Sequence, residues 1–183
     1  MTMSPDELGS MIDGLIRDIP DFPKPGVVFK DITPLLADHD GLRAVVSGLA
    51  EAGRGPDGVP VVDKVIGMEA RGFILAAPVA LALGVGFIPV RKPGKLPAAT
   101  YSVSYSLEYG EETLEMHTDA LAPGDRVLLV DDVLATGGTA RATARLIERL
   151  GGKVIGIACL IELEFLRGRE ALADYEFFSL LAY

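Results

Sequence analysis

The chain has 183 residues, 49% of them hydrophobic, and a formal net charge of −9. That length suits one domain with a core large enough to need no staples, and one cysteine with two histidines leaves neither an internal disulfide nor a structural zinc set. The acidity argues against a general nucleic-acid or membrane surface, where a basic stripe is expected. The first residues are polar and acidic, unlike a secretory leader, and no apolar run approaches membrane-spanning length. A reducing, cytoplasmic setting is the expectation.

Ser4-Pro5-Asp6-Glu7 reads as a helix start, with a serine cap, proline at the first helical position and acids in the first turn. Leu8, Met11, Ile12, Leu15 and Ile16 follow at helical spacing, which predicts packing on the chain's own core or on a second subunit. Asp18–Pro34 carries four prolines and interrupts any helix. Within it, Pro25-Gly26 marks a turn and Val27-Val28-Phe29 a short extended piece. On its residues alone this is a stiff loop, although extended backbone beside an aromatic ring also suits a flat heterocycle. A helix is predicted over Gly41–Gly53, with Leu42, Val45, Val46 and Leu49 on one face. Disorder is expected in the Gly/Pro loop Arg54–Pro60.

Lys64–Gly67 suits a short central strand. It runs through Met68-Glu69-Ala70-Arg71-Gly72 into a buried helix over Phe73–Leu83, which puts Arg71 at a strand-to-helix corner. An arginine there serves either an anionic ligand or a surface ion pair. Val85–Val90 is a third strand, ending in Arg91-Lys92-Pro93-Gly94-Lys95-Leu96-Pro97. Three cations within five residues form a local positive mouth, or else a solvated basic loop. Arg91 and Lys92, adjacent on extended backbone, are expected to point opposite ways. Thr100–Tyr109 and Thr113–Met116 alternate like a two-stranded hairpin or a flap that excludes water.

Val127–Thr139 reads VLLVDDVLATGGT. Val127–Val130 is too short for a helix and suits a buried strand, expected to end at the adjacent carboxylates Asp131 and Asp132. After Gly137-Gly138, residues Ala142, Leu146 and Leu150 recur at helical spacing until Gly151-Gly152 stops them. Ligands of open α/β sheets sit where strands end and helices begin. A Gly-rich turn feeding a helix offers backbone N–H groups without intrahelical partners, in a positive dipole field. Thr136 and Thr139 add hydroxyl donors. At roughly 1.5–3 kcal/mol per hydrogen bond to a charged group, about four or five would anchor a phosphate firmly. Asp131 and Asp132 repel phosphate but accept hydrogen bonds from a diol and support hydrated Mg²⁺. Phosphate on one side and a diol with metal on the other describe a phosphorylated ribose. A P-loop fits less well, because no Gly-Lys-Ser/Thr follows the glycines. Val154–Ile161, with Cys159 inside its apolar run, is a further buried strand.

VLLVDDVLATGGT resembles the signature of type I phosphoribosyltransferases, the site for 5-phosphoribosyl-1-diphosphate (PRPP). The resemblance implies that Ala135, Thr136, Gly137, Gly138 and Thr139 take the 5′-phosphate and that Asp131 and Asp132 take the ribose hydroxyls. Phe22–Pro34 (FPKPGVVFKDITP) resembles the N-terminal stretch of adenine phosphoribosyltransferases. It implies an adenine read by the Val28 backbone and stacked on Phe29, with Lys30 where some relatives carry arginine. Glu69–Phe73 (EARGF) is similar to the family's diphosphate loop, which implies a catalytic, diphosphate-binding Arg71. Family members often hold a strained peptide there. The Arg91–Pro97 match implies Arg91, Lys95 and Lys92 on diphosphate. Ser104–Tyr109 (SYSLEY) implies Glu108 as the acid/base at adenine N7 and Tyr109 as a lid residue. Leu166–Glu170 and Phe177–Leu181 resemble the family's C-terminal section, which caps the sheet and shapes the base pocket beside Leu163.

Alternating strands and helices predict an α/β fold with a mainly parallel central sheet covered by helices. The resemblance makes it the type I phosphoribosyltransferase fold, a single domain over 1–183. It adds an N-terminal hood (residues 1 to about 34) and a flexible hairpin flap (about 98–116). The implied reaction is adenine plus PRPP giving AMP and diphosphate, a purine salvage step in a homodimer. The implied cofactor is Mg²⁺, carried mainly by PRPP and reached through water by Asp131 or Asp132, with no direct protein ligand. No nucleic-acid or membrane partner is expected. Two alternatives stay open: a different purine as the base, and a PRPP-sensing regulator without catalysis. The regulator calls for a nucleic-acid-binding element, for which the short acidic N-terminal helix is poorly suited.

Overall fold

Short aliphatic and β-branched runs become parallel strands here, and the helical runs between them become crossovers. The computed structural model describes residues 5–106 and 110–183, which fall into two compact units divided between Ser47 and Gly48.

The first unit holds α1 (Pro5–Asp13), β1 (Arg17–Ile19), β2 (Phe29–Asp31), α2 (Thr33–Ala37) and the start of α3 (His39–Glu51). Helix α1 stops short of Leu15 and Ile16, whose N–H groups close turns onto Ile12 and Asp13. The segment read as a stiff loop is partly a ribbon: β1 and β2 pair antiparallel, with Ile19 opposite Phe29. Ion pairs Arg17–Asp31 (2.6 Å) and Lys30–Asp18 (2.7 Å) flank that ladder. The hydrogen bond from Arg17, with the Thr33 N–H behind it, holds the Asp31 carboxyl down at about 2. Pro34 sits at the start of α2, where a missing N–H breaks no helical bond.

In the second unit the Arg54–Pro60 loop, expected to be disordered, is closed by its own bonds. Arg54 donates to the carbonyls of Gly58 (2.8 Å) and Ala82 (3.0 Å), and the Gly55 N–H donates to Val59 (2.8 Å). There follow β3 (Lys64–Met68), α4 (Arg71–Leu83), β4 (Gly86–Val90), a hairpin of β5 (Thr100–Ser106) and β6 (Glu111–His117), and β7 (Arg126–Leu134). Then come α5 (Gly138–Arg149), β8 (Lys153–Glu162), a 3₁₀ turn (Glu164–Leu166), α6 (Gly168–Ala171) and β9 (Phe177–Ala182). Five strands form a parallel sheet in the order β4-β3-β7-β8-β9. The C-terminal Phe177–Leu181 run thus joins the sheet as an edge strand. Among the described residues no helix is long and apolar enough to cross a membrane.

Period-two alternation assigns the two faces of the sheet. Ile66, Met68, Leu129 and Ile157 share a buried cluster with Leu146 and Ile147 of α5. Val65, Leu128 and Val130 alternate with them and are fully buried on the opposite face. There a Cβ on Gly67 would stand 2.7 Å from the Ala76 Cβ of α4, so glycine lets that helix settle onto the sheet. Each such aliphatic burial contributes roughly 1.5–3 kcal/mol.

Strand β7 does not end at Val130, as the acidic pair had suggested. Its register with β3 stops at Gly67↔Val130, while pairing with β8 continues through Asp131↔Cys159 to Leu134↔Glu162. The two carboxylates therefore stand on a strand that has outrun its β3 neighbour, at the C-terminal rim of the sheet.

Candidate active site

Extended backbone sends Asp131 and Asp132 in opposite directions. Asp132 is buried, and its Oδ2 lies 2.6 Å from Nε of Arg71, at the first position of α4. Asp131 Oδ1 accepts the Asp132 N–H at 2.9 Å. A Cβ on Gly72 would fall 2.6 Å from that same oxygen, so the glycine lets α4 begin directly against the acid pair. Burial, and then repulsion from Asp132, pushes Asp131 well above the usual carboxylate range. Burial also raises Asp132, and the Arg71 charge partly opposes it. A buried carboxylate and a half-buried neighbour with a single guanidinium nearby remain short of positive charge, which suits hydroxyl donors or a cation.

Beyond the acids, residues 133–140 curl into a cavity with Asp131 on its wall. Gly137 turns the chain at φ 83°, in the left-handed region. Arg141 N–H is the first of α5 to bond back, to Gly137 O at 3.0 Å. The N–H groups of Gly138, Thr139 and Ala140 are thus the orphan donors of the helix start, beside the Thr136 and Thr139 hydroxyls. The wall behind this loop is α6. A Cβ on Gly137 would stand 2.6 Å from Gly168 O, and one on Gly168 would collide with Ala135 O. Arg169 fixes that wall through a two-pronged bond to Glu162, with Nε to Oε1 at 2.6 Å and Nη2 to Oε2 at 2.7 Å. Arg169, aided by Ser179, holds the Glu162 carboxyl below its ordinary value against the pull of burial.

The basic loop is organised by Glu69, whose peptide bond to Ala70 is cis. Its carboxylate accepts the Lys92 N–H at 2.9 Å and Arg91 Nε at 3.2 Å, and these bonds lower it below the usual range. Arg91 also donates to Lys95 O at 3.2 Å, and the Lys95 charge acts on Glu69. The Lys92 side chain reaches instead to Glu112 on β6, 3.2 Å away, the divergence expected of neighbours on extended backbone. Glu112 accepts the Tyr105 hydroxyl at 2.7 Å, and Tyr105 lies 2.9 Å from Thr139 Oγ1. With its proton committed to Glu112, Tyr105 accepts from Thr139. Burial raises the phenol to about 12, so it stays protonated. Lys92, Glu112, Tyr105 and Thr139 thereby tie the basic loop to the start of α5 through the hairpin.

The structure therefore brings Arg71, Asp131 and Asp132 together, runs them into Ala135–Thr139, and gathers Arg91, Lys92 and Lys95 around Glu69 and the hairpin. Val28, Phe29 and Lys30 belong to the first unit. Val28 is exposed, the Phe29 ring meets Phe22 edge-on at 5.3 Å, and Lys30 pairs with Asp18. Glu108 and Tyr109 lie outside the described residues. Sequence reasoning missed the parts of Gly72, Tyr105, Glu112, Gly168 and Arg169. Gly72, Tyr105, Gly168 and Arg169 lie inside the motif matches, but nothing local says which atoms they approach, and Glu112 carried no signal.

A parallel sheet whose central strand carries an acid pair and leads into an anion-type loop is the arrangement of a phosphoribosyl transferase domain, and that family's model matches residues 42–179. The chain is 70% identical to the adenine phosphoribosyltransferase of a Nocardioides species, over 91% of this chain and 90% of that one. The crystal structure of adenine phosphoribosyltransferase from Thermoanaerobacter pseudethanolicus superposes with a TM-score of 0.89 at 51% identity, covering 96% and 99% of the two chains. The Saccharomyces cerevisiae enzyme, complexed with an imino-altritol bisphosphate and adenine, gives 0.88 at 35% identity over 96% and 99%. The chain belongs to this family, and within it to the adenine phosphoribosyltransferases.

Proposed function

We propose that the chain transfers the 5-phosphoribosyl group of PRPP to N9 of adenine, giving AMP and diphosphate in purine salvage. The observation behind this is one continuous site in which the acid pair of β7, with Asp132 paired to Arg71, leads straight into the donor-lined loop 135–139. Adenine as the base is supported by the relatives that bear its name and by the yeast structure that holds it.

In this reading Ala135, Thr136, Gly137, Gly138 and Thr139 pin the 5′-phosphate, so that binding energy orients the sugar. Asp131 and Asp132 accept from the ribose hydroxyls. The C1–O bond to diphosphate breaks as the C1–N9 bond forms, with positive charge developing on the ribose as in glycoside chemistry. Arg71, Arg91, Lys92 and Lys95 stabilise the departing diphosphate. Val28, Phe29 and Lys30 recognise adenine, Glu108 manages its N7 proton, and Tyr109 covers the site.

A hydrated magnesium ion carried by the substrate fits the adjacent carboxylates Asp131 and Asp132 of β7, which would reach it through water. When bound, Mg²⁺ supplies positive charge at the leaving diphosphate. A homodimer in the cytoplasm is the proposed setting, supported by the family resemblance and by the reading of composition.

The test is AMP formation from adenine, PRPP and Mg²⁺, with hypoxanthine and guanine in parallel. Turnover with adenine alone is expected. Turnover with an oxopurine instead would overturn the base assignment, and PRPP binding without any turnover would leave a regulator. Within the active enzyme, Glu108→Gln is expected to lower kcat by about 10²–10⁴-fold with little change in the KM for PRPP; an unchanged kcat removes that role.

A further inference from the structure

A second groove opens beside the phosphate loop, lined by Ser104, Tyr105, Thr136, Gly138, Arg141 and Arg145. Thr136 and Gly138 line the loop cavity as well, so the two spaces adjoin at these residues. Arg141 and Arg145 stand four apart on α5 and share a face. Helical side chains lean toward the helix N-terminus, which here is Gly138. Both arginines are exposed, and among the described residues neither guanidinium meets a carboxylate. Elsewhere the chain behaves differently: Arg71, Arg91, Arg126 and Arg169 each face an acid. Arg149, next on the same row, lies over the Tyr101 ring at 4.8 Å. Around Arg141, Tyr175 feels its charge, and the nearby Glu148 already accepts the Tyr175 hydroxyl at 2.8 Å. In a protein of net charge −9, two guanidinium forks that meet no carboxylate among the described residues, at the mouth of an anion loop, form a positive site for phosphate.

We propose that this groove takes the outer phosphates of a nucleoside 5′-di- or triphosphate whose first phosphate sits in the 135–139 loop. The proposal rests on the reading of that loop as the 5′-phosphate site. A phosphate chain growing from the loop, away from the sugar, leaves past Thr136 and Gly138 and meets Arg141 and Arg145. PRPP and AMP, each with a single phosphate at the 5′ end, leave the groove unused. Adenosine di- and triphosphate therefore compete with PRPP more strongly than AMP does, and the nucleotide pool restrains its own supply.

The experiment measures inhibition constants of AMP, ADP and ATP against PRPP at fixed free Mg²⁺, for the wild type and for Arg141→Ala/Arg145→Ala. ADP is expected to inhibit about tenfold better than AMP. The double variant should lose that gain while kcat, the KM for PRPP and inhibition by AMP stay unchanged, because alanine keeps the helix. ADP no stronger than AMP, or equally favoured in the double variant, overturns the groove. Loss of AMP inhibition along with the ADP gain, repeated in Arg141→Gln/Arg145→Gln, would assign the arginines to the loop itself and also overturn it. AMP failing to compete with PRPP in the wild type would instead remove the phosphate-loop reading.

Discussion

Alanine at position 137 is expected to raise the KM for PRPP roughly 100-fold and to lower the melting temperature by roughly 5–10 °C. Two independent costs meet there. Gly137 has φ 83°, a conformation that disfavours any Cβ by roughly 1–2 kcal/mol. The new Cβ would also lie 2.6 Å from Gly168 O and 2.9 Å from Ala171 Cβ. Those atoms cannot swing aside as a long side chain does, since α6 is held to β8 by the bidentate Arg169–Glu162 pair. The loop must therefore move, and its N–H donors move with it. Gly168→Ala attacks the same contact from the opposite wall, through Ala135 O, and should give a similar loss. The double variant should be clearly less than additive, because both changes break one interface. Initial rates across PRPP concentrations and thermal melts of the three variants check this; a wild-type KM in Gly137→Ala would mean that the loop geometry is not what holds the substrate.

Much of this site was legible because its parts are contiguous. Four aliphatic residues, two acids and a Thr-Gly-Gly-Thr turn specify strand, carboxylates and helix start from neighbours alone, and β3, α4 and β4 followed from the same local periodicities. What stayed hidden depends on contacts distant in the chain. That β7 runs on to Leu134 is set by its pairing with β8 after β3 has ended, and nothing in the Asp-Asp pair announces it. Tyr105 reads as an ordinary hairpin aromatic, yet its hydroxyl bonds to Glu112 and Thr139. Gly168 reads only as part of a motif match, yet it supports a loop more than thirty positions earlier. Asp18–Pro34 misled in the opposite sense: its prolines concealed a short ribbon that two ion pairs secure.

Replacing Asp131 by asparagine should make the unliganded protein more stable while removing most of its activity. The near-isosteric amide keeps an oxygen at Oδ1 to accept the Asp132 N–H, now at 2.9 Å. What it deletes is one of two adjacent like charges. Burial and Asp132 raise the Asp131 carboxyl well above its ordinary range, so between its unfolded and folded pKa values the native state holds more protons than the unfolded one. Stability contributed by this group is therefore greatest in acid and declines as pH rises through that window. The lowered carboxylates, Glu69, Glu112 and Glu162, have the opposite sign: their contribution is lost as pH falls, and it is common to both proteins. Wild-type and Asp131→Asn melting curves should thus converge in acid and separate as the pH climbs toward neutrality, the variant ending higher by about 1–2 kcal/mol. On the proposed role of Asp131, turnover should meanwhile fall about 100-fold, because the ribose hydroxyls would lose a charged acceptor. Melting temperatures that differ by a constant amount at every pH would show that the acid pair is not held out of its ordinary range, and that the site has not traded stability for its chemistry.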